Sequence, residues 1–125
     1  MITASIKNHR ISPRKVRLVA DMIRGKGVAQ AQIILDGASK KAKHPISNLI
    51  DSAVANASHN FKIDGAQLFV KEIRVDQGYV LKRSQPMARG SAFPIKKRTS
   101  HISVVLAVRE TAAAKKTRKT ANTKK

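Results

Sequence analysis

Apolar residues recur along this chain with two different periods, and the changes of period divide it into elements. Ile2, Ala4 and Ile6 alternate with Thr3, Ser5 and Lys7, a period of two that predicts a half-buried first strand. His9 and Arg10 lead out of it. Ser12-Pro13 then reads as a helix start, with the hydroxyl placed to accept an orphan N–H and Pro at the first helical position, where its missing donor costs nothing. The pattern predicts a helix to about Arg24, stopped by Gly25. Its apolar arc is Val16, Val19, Ala20 and Ile23, with Arg14, Arg17 and Arg24 on the other side.

A shorter helix is expected over Val28 to Asp36, ended by Gly37, with Ala31, Ile34 and Leu35 on its buried side. The longest helix begins between Lys41 and Pro45 and runs to about Asn60, Pro45 being tolerated in a first turn but not in an interior. Ile46, Leu49, Ile50, Ala53, Val54, Ala57 and Phe61 form a continuous i, i+3, i+4 stripe and make this the core helix. Its opposite face carries Asn48, Ser52, Ala55, Asn56 and His59, small and uncharged in a chain crowded with cations. That face is either an ordinary solvated surface or one that another backbone approaches closely.

Period two returns after a turn at Phe61 to Gly65. Leu68 to Asp76 reads as a strand whose apolar phase slips: Leu68 and Val70 share one parity, Ile73 and Val75 the other, which predicts a β-bulge around Lys71 and Glu72. A third strand, His101 to Arg109, alternates through Ile102, Val104, Leu106 and Val108. Between these strands lies Gly78 to Ser100, far longer than the roughly 4–6 residues of an ordinary connection. Pro86 and Gly90 bracket a turn, and scattered apolar residues flank it, so the stretch is expected to be a projecting β-hairpin of about ten residues per arm and about 30 Å reach. An isolated two-stranded hairpin is only marginally stable in water, so a partner is expected to hold it. Three helices and three strands, two of them joined in one sheet by the protruding hairpin, make the expected class α+β.

Charge decides what kind of partner. The 125 residues contain 26 Lys and Arg against 7 Asp and Glu, a formal net charge of +19, and no acid occurs from Gln77 through Arg109. Such an imbalance is self-repelling in the compact state and calls for a polyanion. Nucleic acid is favoured over membrane, because no apolar run approaches the roughly 20 residues needed to span a bilayer and no basic helix carries a bulky aromatic face. The candidate phosphate contacts are Arg14, Arg17 and Arg24 on the first helix, for which an ordinary solvated face is the alternative, and Lys82, Arg83, Arg89, Lys96, Lys97 and Arg98 on the arm. Residues 111–125 have six cations and no apolar period, and are expected to be a disordered basic tail beside a single domain over 1–110.

Catalytic and metal-binding signatures are missing. The four histidines (His9, His44, His59, His101) are dispersed, cysteine is absent, the serines lack a GxSxG setting, the glycines form no phosphate loop, and the acids are scattered singly. No catalytic residue, metal ligand, cofactor or small-molecule substrate is therefore expected. The N-terminus reads as strand rather than as a signal or transit segment, which makes the cytoplasm the expected compartment.

Three stretches taken together resemble a known family: SPRKVRLVADMIRGK at 12–26; SAVANASHN at 52–60; and Leu81-Lys82-Arg83, Pro86, Ala88-Arg89-Gly90, Ala92 and Lys97-Arg98-Thr99-Ser100-His101-Ile102. They are similar to the bacterial form of the large ribosomal subunit protein twenty-two family, over about residues 2–109. The resemblance implies a body of three helices packed on a three-stranded antiparallel sheet, bound to large-subunit ribosomal RNA near the tunnel exit, beside neighbouring ribosomal proteins and as a monomer within the ribosome. It also implies a hairpin that lines the nascent-peptide tunnel near the place where macrolides lodge. On that reading Arg10, Lys15, Lys26 and His101 join the RNA-facing residues, and Gln85, Pro86, Met87, Ala88, Arg89, Gly90 and Ser91 form the tunnel-lining tip. The chain departs from the family pattern at Gly78-Tyr79, at Met87 and Ser91, where arginines are common, and at Phe93-Pro94. The competing readings are a DNA-bending protein that wedges a basic β-arm between base steps, and a nucleic-acid enzyme. The first usually requires a dimer seam and the second a catalytic cluster, and the sequence displays neither.

Overall fold

The computed structural model describes residues 2–109; the basic tail expected at 111–125 lies outside them. The order is β1 (Ile2–His9), α1 (Pro13–Ile23), α2 (Val28–Gly37), α3 (Lys43–Phe61), β2 (Leu68–Pro86) and β3 (Ala92–Val108). Single 3₁₀ turns occupy Gly65–Gln67 and Ala88–Gly90. The strands form one antiparallel sheet in the order β1-β3-β2, so the last strand lies in the middle and the expected α+β class holds.

One apolar cluster joins the layers. Val16, Val19, Ala20 and Ile23 of α1 and Ile46, Leu49, Ile50, Ala53 and Ala57 of α3 meet Leu68, Val70, Ile73 and Val75 of β2 and Ile102, Val104 and Leu106 of β3. These are the residues of the predicted stripes, and the aliphatic side chains interdigitate without a buried aromatic. Four details depart from expectation. Phe61 ends the α3 stripe but is 52% exposed, because Lys62 turns the chain into the left-handed region (φ 54) and closes the helix with its N–H on the carbonyls of Ala57 and Ser58. Val108 is 40% exposed where the sheet runs out, and Ile34 is only partly buried against the core. Ser12 occupies the cap position of α1 without a side-chain hydrogen bond; its backbone carbonyl accepts from Lys15 (3.0 Å) and Val16 (3.3 Å), and Pro13 sets the entry.

The phase slip in β2 is the expected bulge. Val70 pairs with Leu106 and Glu72 with Val105, leaving Lys71 as the extra residue, so apolar side chains on both sides of it reach the core. The strands then continue into the arm as one ladder, from Val80↔Arg98 to Pro86↔Ala92. At the tip Arg89 (φ 57) and Gly90 (φ 72) turn in the left-handed region, and the Met87 N–H donates to the Ser91 carbonyl (2.8 Å).

A second bulge marks the neck between body and arm, where Gly78 and Tyr79 oppose Thr99 alone. Thr99 is fully buried and donates its hydroxyl to the Tyr79 carbonyl (2.8 Å). A Cβ on Gly78 would collide with Thr99 Oγ1 and approach His101 Nε2 to 3.1 Å, so glycine is required here for space. Gly78→Ala is expected to destabilise by about 1–3 kcal/mol through overpacking. Urea unfolding at a salt concentration that screens the cations measures it, and Gly78→Ala/Thr99→Ala should recover part of the loss. A double variant as unstable as the sum of the two singles would place the cost elsewhere.

Candidate nucleic-acid interface

The cations fall into two groups once the chain is folded. One group is spent inside the molecule. β2 is an edge strand, and its outward carbonyls are taken by α1 and the loop after it. Val75 O accepts from Arg17 Nε (3.1 Å) and Nη2 (2.9 Å), and Ile73 O from Arg24 Nη2 (3.4 Å). Val70 O accepts from the Gly25 N–H (2.9 Å), and the Val70 N–H donates to Lys26 O (2.9 Å). Arg24 also pairs with Asp21 (2.8 Å), one turn earlier on α1. A guanidinium that caps a sheet edge blunts it against pairing with other chains. It also keeps less of its donor capacity for an external phosphate.

The other group converges. A concave groove of about 1030 Å³ opens between the root of the arm, the start of α1 and the loop between α2 and α3. Eight of its lining residues are cations: Arg10, Lys15, Lys40, Lys41, Arg83, Lys96, Lys97 and Arg98. Ile11, Ser12, Leu18, Ser39, Ala42, Leu81 and Thr99 complete the wall, and no acid lines it. The two ion pairs among the described residues, Asp21 with Arg24 and Glu72 with Arg74, involve none of these cations. Arg74's hydrogen bond holds the Glu72 carboxyl below its ordinary value and Arg74's own pKa above its own, so that acid is already neutralised on the body strand. The groove is thus an uncompensated positive concavity, where low-dielectric walls focus the field and favour a polyanion.

Six of the sequence candidates line this groove: Arg10, Lys15, Arg83, Lys96, Lys97 and Arg98. Arg14 is exposed on α1 outside it, and Arg17, Arg24 and Lys26 serve or flank the β2 edge. Lys82 is exposed on the arm directly across from Lys96, a like-charge cross-strand pair that disfavours the arm in isolation. Arg89 stands at the tip with Gln85, Pro86, Met87, Ala88, Gly90 and Ser91, all exposed. His101 sits half-buried at the neck, its Nδ1 accepting from the Asn8 N–H (3.0 Å) across a bulge in β1, so it holds two strands together as well as facing outward. The uncharged α3 face of Asn48, Ser52, Ala55, Asn56 and His59 is exposed. Asn56 makes one long hydrogen bond from it, to the Thr3 carbonyl (3.5 Å).

Sequence reasoning missed Lys40 and Lys41. They belong to a short loop that carries no periodicity, and only the packing of α2 and α3 against the sheet swings that loop toward the arm. The available signal was a pair of adjacent lysines in a turn beside a terminated helix.

Two outcomes test this division. Arg17→Met is expected to cost about 1–3 kcal/mol of folding stability, since a charge-assisted cap is lost and a carbonyl is left short of partners, whereas Arg14→Met stays within about 0.5 kcal/mol. Denaturant unfolding of both variants reads the difference, and equal stabilities would remove the edge-capping role. For the groove, if both lysines meet phosphates, Lys40→Ala/Lys41→Ala should flatten the salt dependence of nucleic-acid binding by about 1.4–1.8 in log–log slope. Filter binding of a structured RNA and of duplex DNA at graded salt measures this, and an unchanged slope would return the two lysines to solvent.

Residues 4–107 match the family model described as ribosomal protein L22p/L17e. The chain is 56% identical over 97 residues to a protein of Desulfitobacterium hafniense named large ribosomal subunit protein uL22, covering 78% of this chain and 85% of that one. Proteins of the same name from Acholeplasma laidlawii and Lactobacillus delbrueckii subsp. bulgaricus are 51% identical over 104 residues and 50% over 103. These alignments cover 83% and 82% of this chain, and 94% and 88% of the relatives.

Proposed function

Because the chain belongs to the ribosomal protein L22p/L17e family, we propose that its basic groove docks on large-subunit ribosomal RNA and that its hairpin lines the nascent-peptide tunnel. The protein is a non-enzymatic component of the large subunit of the bacterial ribosome and works in the cytoplasm. The observation that carries the reading is the groove: eight cations with no acid at the root of an arm that has no core of its own. A phosphate backbone laid into that concavity neutralises charges that otherwise repel one another, and the counterions released supply much of the affinity. The lysines and arginines there position the chain without reading sequence, as phosphate contacts do.

The arm then has a different task from the groove. Its outer half, beyond the Arg83↔Ile95 rung, consists of exposed side chains. A wall of RNA around the arm supplies the support the hairpin lacks, and the exposed tip at Gln85 to Ser91 is left to face the tunnel and the nascent peptide. Neighbouring ribosomal proteins meet the remaining body surface, and the chain acts as a monomer within the particle. Met87 and Ser91 give this tip less positive charge than the commoner arginines of the family, so its wall is softer electrostatically.

Shortening the arm between Gln85 and Ala92 separates the two tasks. The core and the groove are untouched by the deletion, so purified large subunits should keep the protein at full occupancy. Drug-dependent ribosome stalling and macrolide response should change. Loss of the protein from the particle would refute groove-based anchoring; full occupancy with unaltered stalling and drug response would refute the tunnel role.

A further inference from the structure

Phe93 is the most exposed aromatic of the described residues, at 62%, and it stands on the arm where no apolar cluster is available to cover it. Its cross-strand partner is Gln85, also exposed. Directly paired residues share a face of a ladder, and successive rungs of that face lie two residues apart. Counting inward from Gln85/Phe93, the same face carries Arg83/Ile95 and then Leu81/Lys97. Leu81, Arg83 and Lys97 line the basic groove, together with Lys96 and Arg98 of the opposite parity. Part of the groove wall thus shares its face with an aromatic ring and an amide placed side by side, about 13 Å beyond Lys97.

We propose that Phe93 and Gln85 form a site for one unpaired nucleobase of the RNA that follows the arm, the ring stacking on the base and the amide hydrogen-bonding its edge. The inference rests on the ribosomal RNA reading above and adds the kind of contact made near the tip. A ring with no acid near it in the sequence, beside cations that hold the adjoining phosphates, is the arrangement by which proteins capture splayed single-stranded bases. Gln85 offers one donor group and one acceptor within reach of the same plane, since directly opposed Cβ atoms lie about 4.5–5.5 Å apart. That pairing of donor and acceptor matches adenine best.

The test uses large subunits assembled with the full-length chain as wild type, Phe93→Tyr and Phe93→Leu. Ultraviolet irradiation followed by digestion and mass spectrometry looks for a nucleotide on the tip peptide, and 2′-hydroxyl acylation reads the flexibility of that nucleotide. Wild type and Phe93→Tyr are expected to carry the adduct at Phe93 or its replacement. Phe93→Leu should lower the stacked population roughly 5- to 150-fold and free the same nucleotide to react. A wild-type tip without a nucleotide adduct, an adduct to a polypeptide instead, or a Phe93→Leu map identical to wild type would overturn the proposal. Hydroxyl-radical footprinting of the ribosomal RNA with and without the chain separates this failure from that of the underlying reading. RNA protected beside the arm with no base adduct sinks only the stacking site. A footprint that is the same with and without the chain sinks the RNA-held arm as well.

Discussion

The β2–β3 ladder is the constraint from which everything else hangs. Its inner half is bonded into the sheet and carries the apolar residues that α1 and α3 cover; its outer half leaves the body with the same backbone pairing but without that cover. Backbone hydrogen bonds alone contribute little net stability to a strand pair that water can reach. On the arm even that contribution is opposed, because Lys82 and Lys96 face each other on one rung. The body therefore fixes where the arm begins, and neutralising the arm's cations would remove what opposes its pairing.

The same economy explains why arginines of one helix have unlike uses. α1 must lie on the sheet to bury Val16, Val19, Ala20 and Ile23, and that placement brings Arg17 and Arg24 to the open edge of β2. Guanidinium forks suit a row of carbonyls there, since their donors are fixed and planar. Arg10, just before α1, and Lys15 line the groove at the root of the arm instead, where neither is taken up by a sheet edge. Net charge identifies the class of partner, but only the folded edge tells which cations remain available to it.

How much of this was legible in the sequence follows from what each pattern encodes. Period two and period 3.6 record burial directly, so the strands, the three helices and even the bulge at Lys71 were readable, the last because a parity slip has no other economical cause. The ends were less readable. Phe61 continues the α3 stripe in sequence, yet the left-handed turn at Lys62 stops the helix where the ring has nothing left to cover it. The groove was half-readable: its arm and α1 cations stand in conspicuous clusters, while Lys40 and Lys41 enter it through tertiary packing that no local pattern records. Arg17 and Arg24 were misleading for the converse reason, since a cation on the polar face of a helix looks solvated until a sheet edge is placed beside it.

The neck gathers the departures from local rules, and their concentration has a mechanical meaning. Gly78 and Tyr79 bulge against Thr99, Asn8 turns through φ 57 to donate to His101, and Thr99 and Ser100 are the buried polar residues among those described. Each is a feature a sheet would avoid if it merely had to be stable, since bulges disrupt pairing and buried hydroxyls must be satisfied. Together they bend and twist the ladder at the point where it leaves the core. A few degrees at the neck are multiplied along about 20–30 Å of arm, given roughly 3.3 Å per residue. The direction of the tip is thus decided by close contacts among small side chains, which is why Gly78 has no room for a methyl group. The body fixes where the arm starts and the neck its direction, so the exposed tip can vary its chemistry without disturbing either.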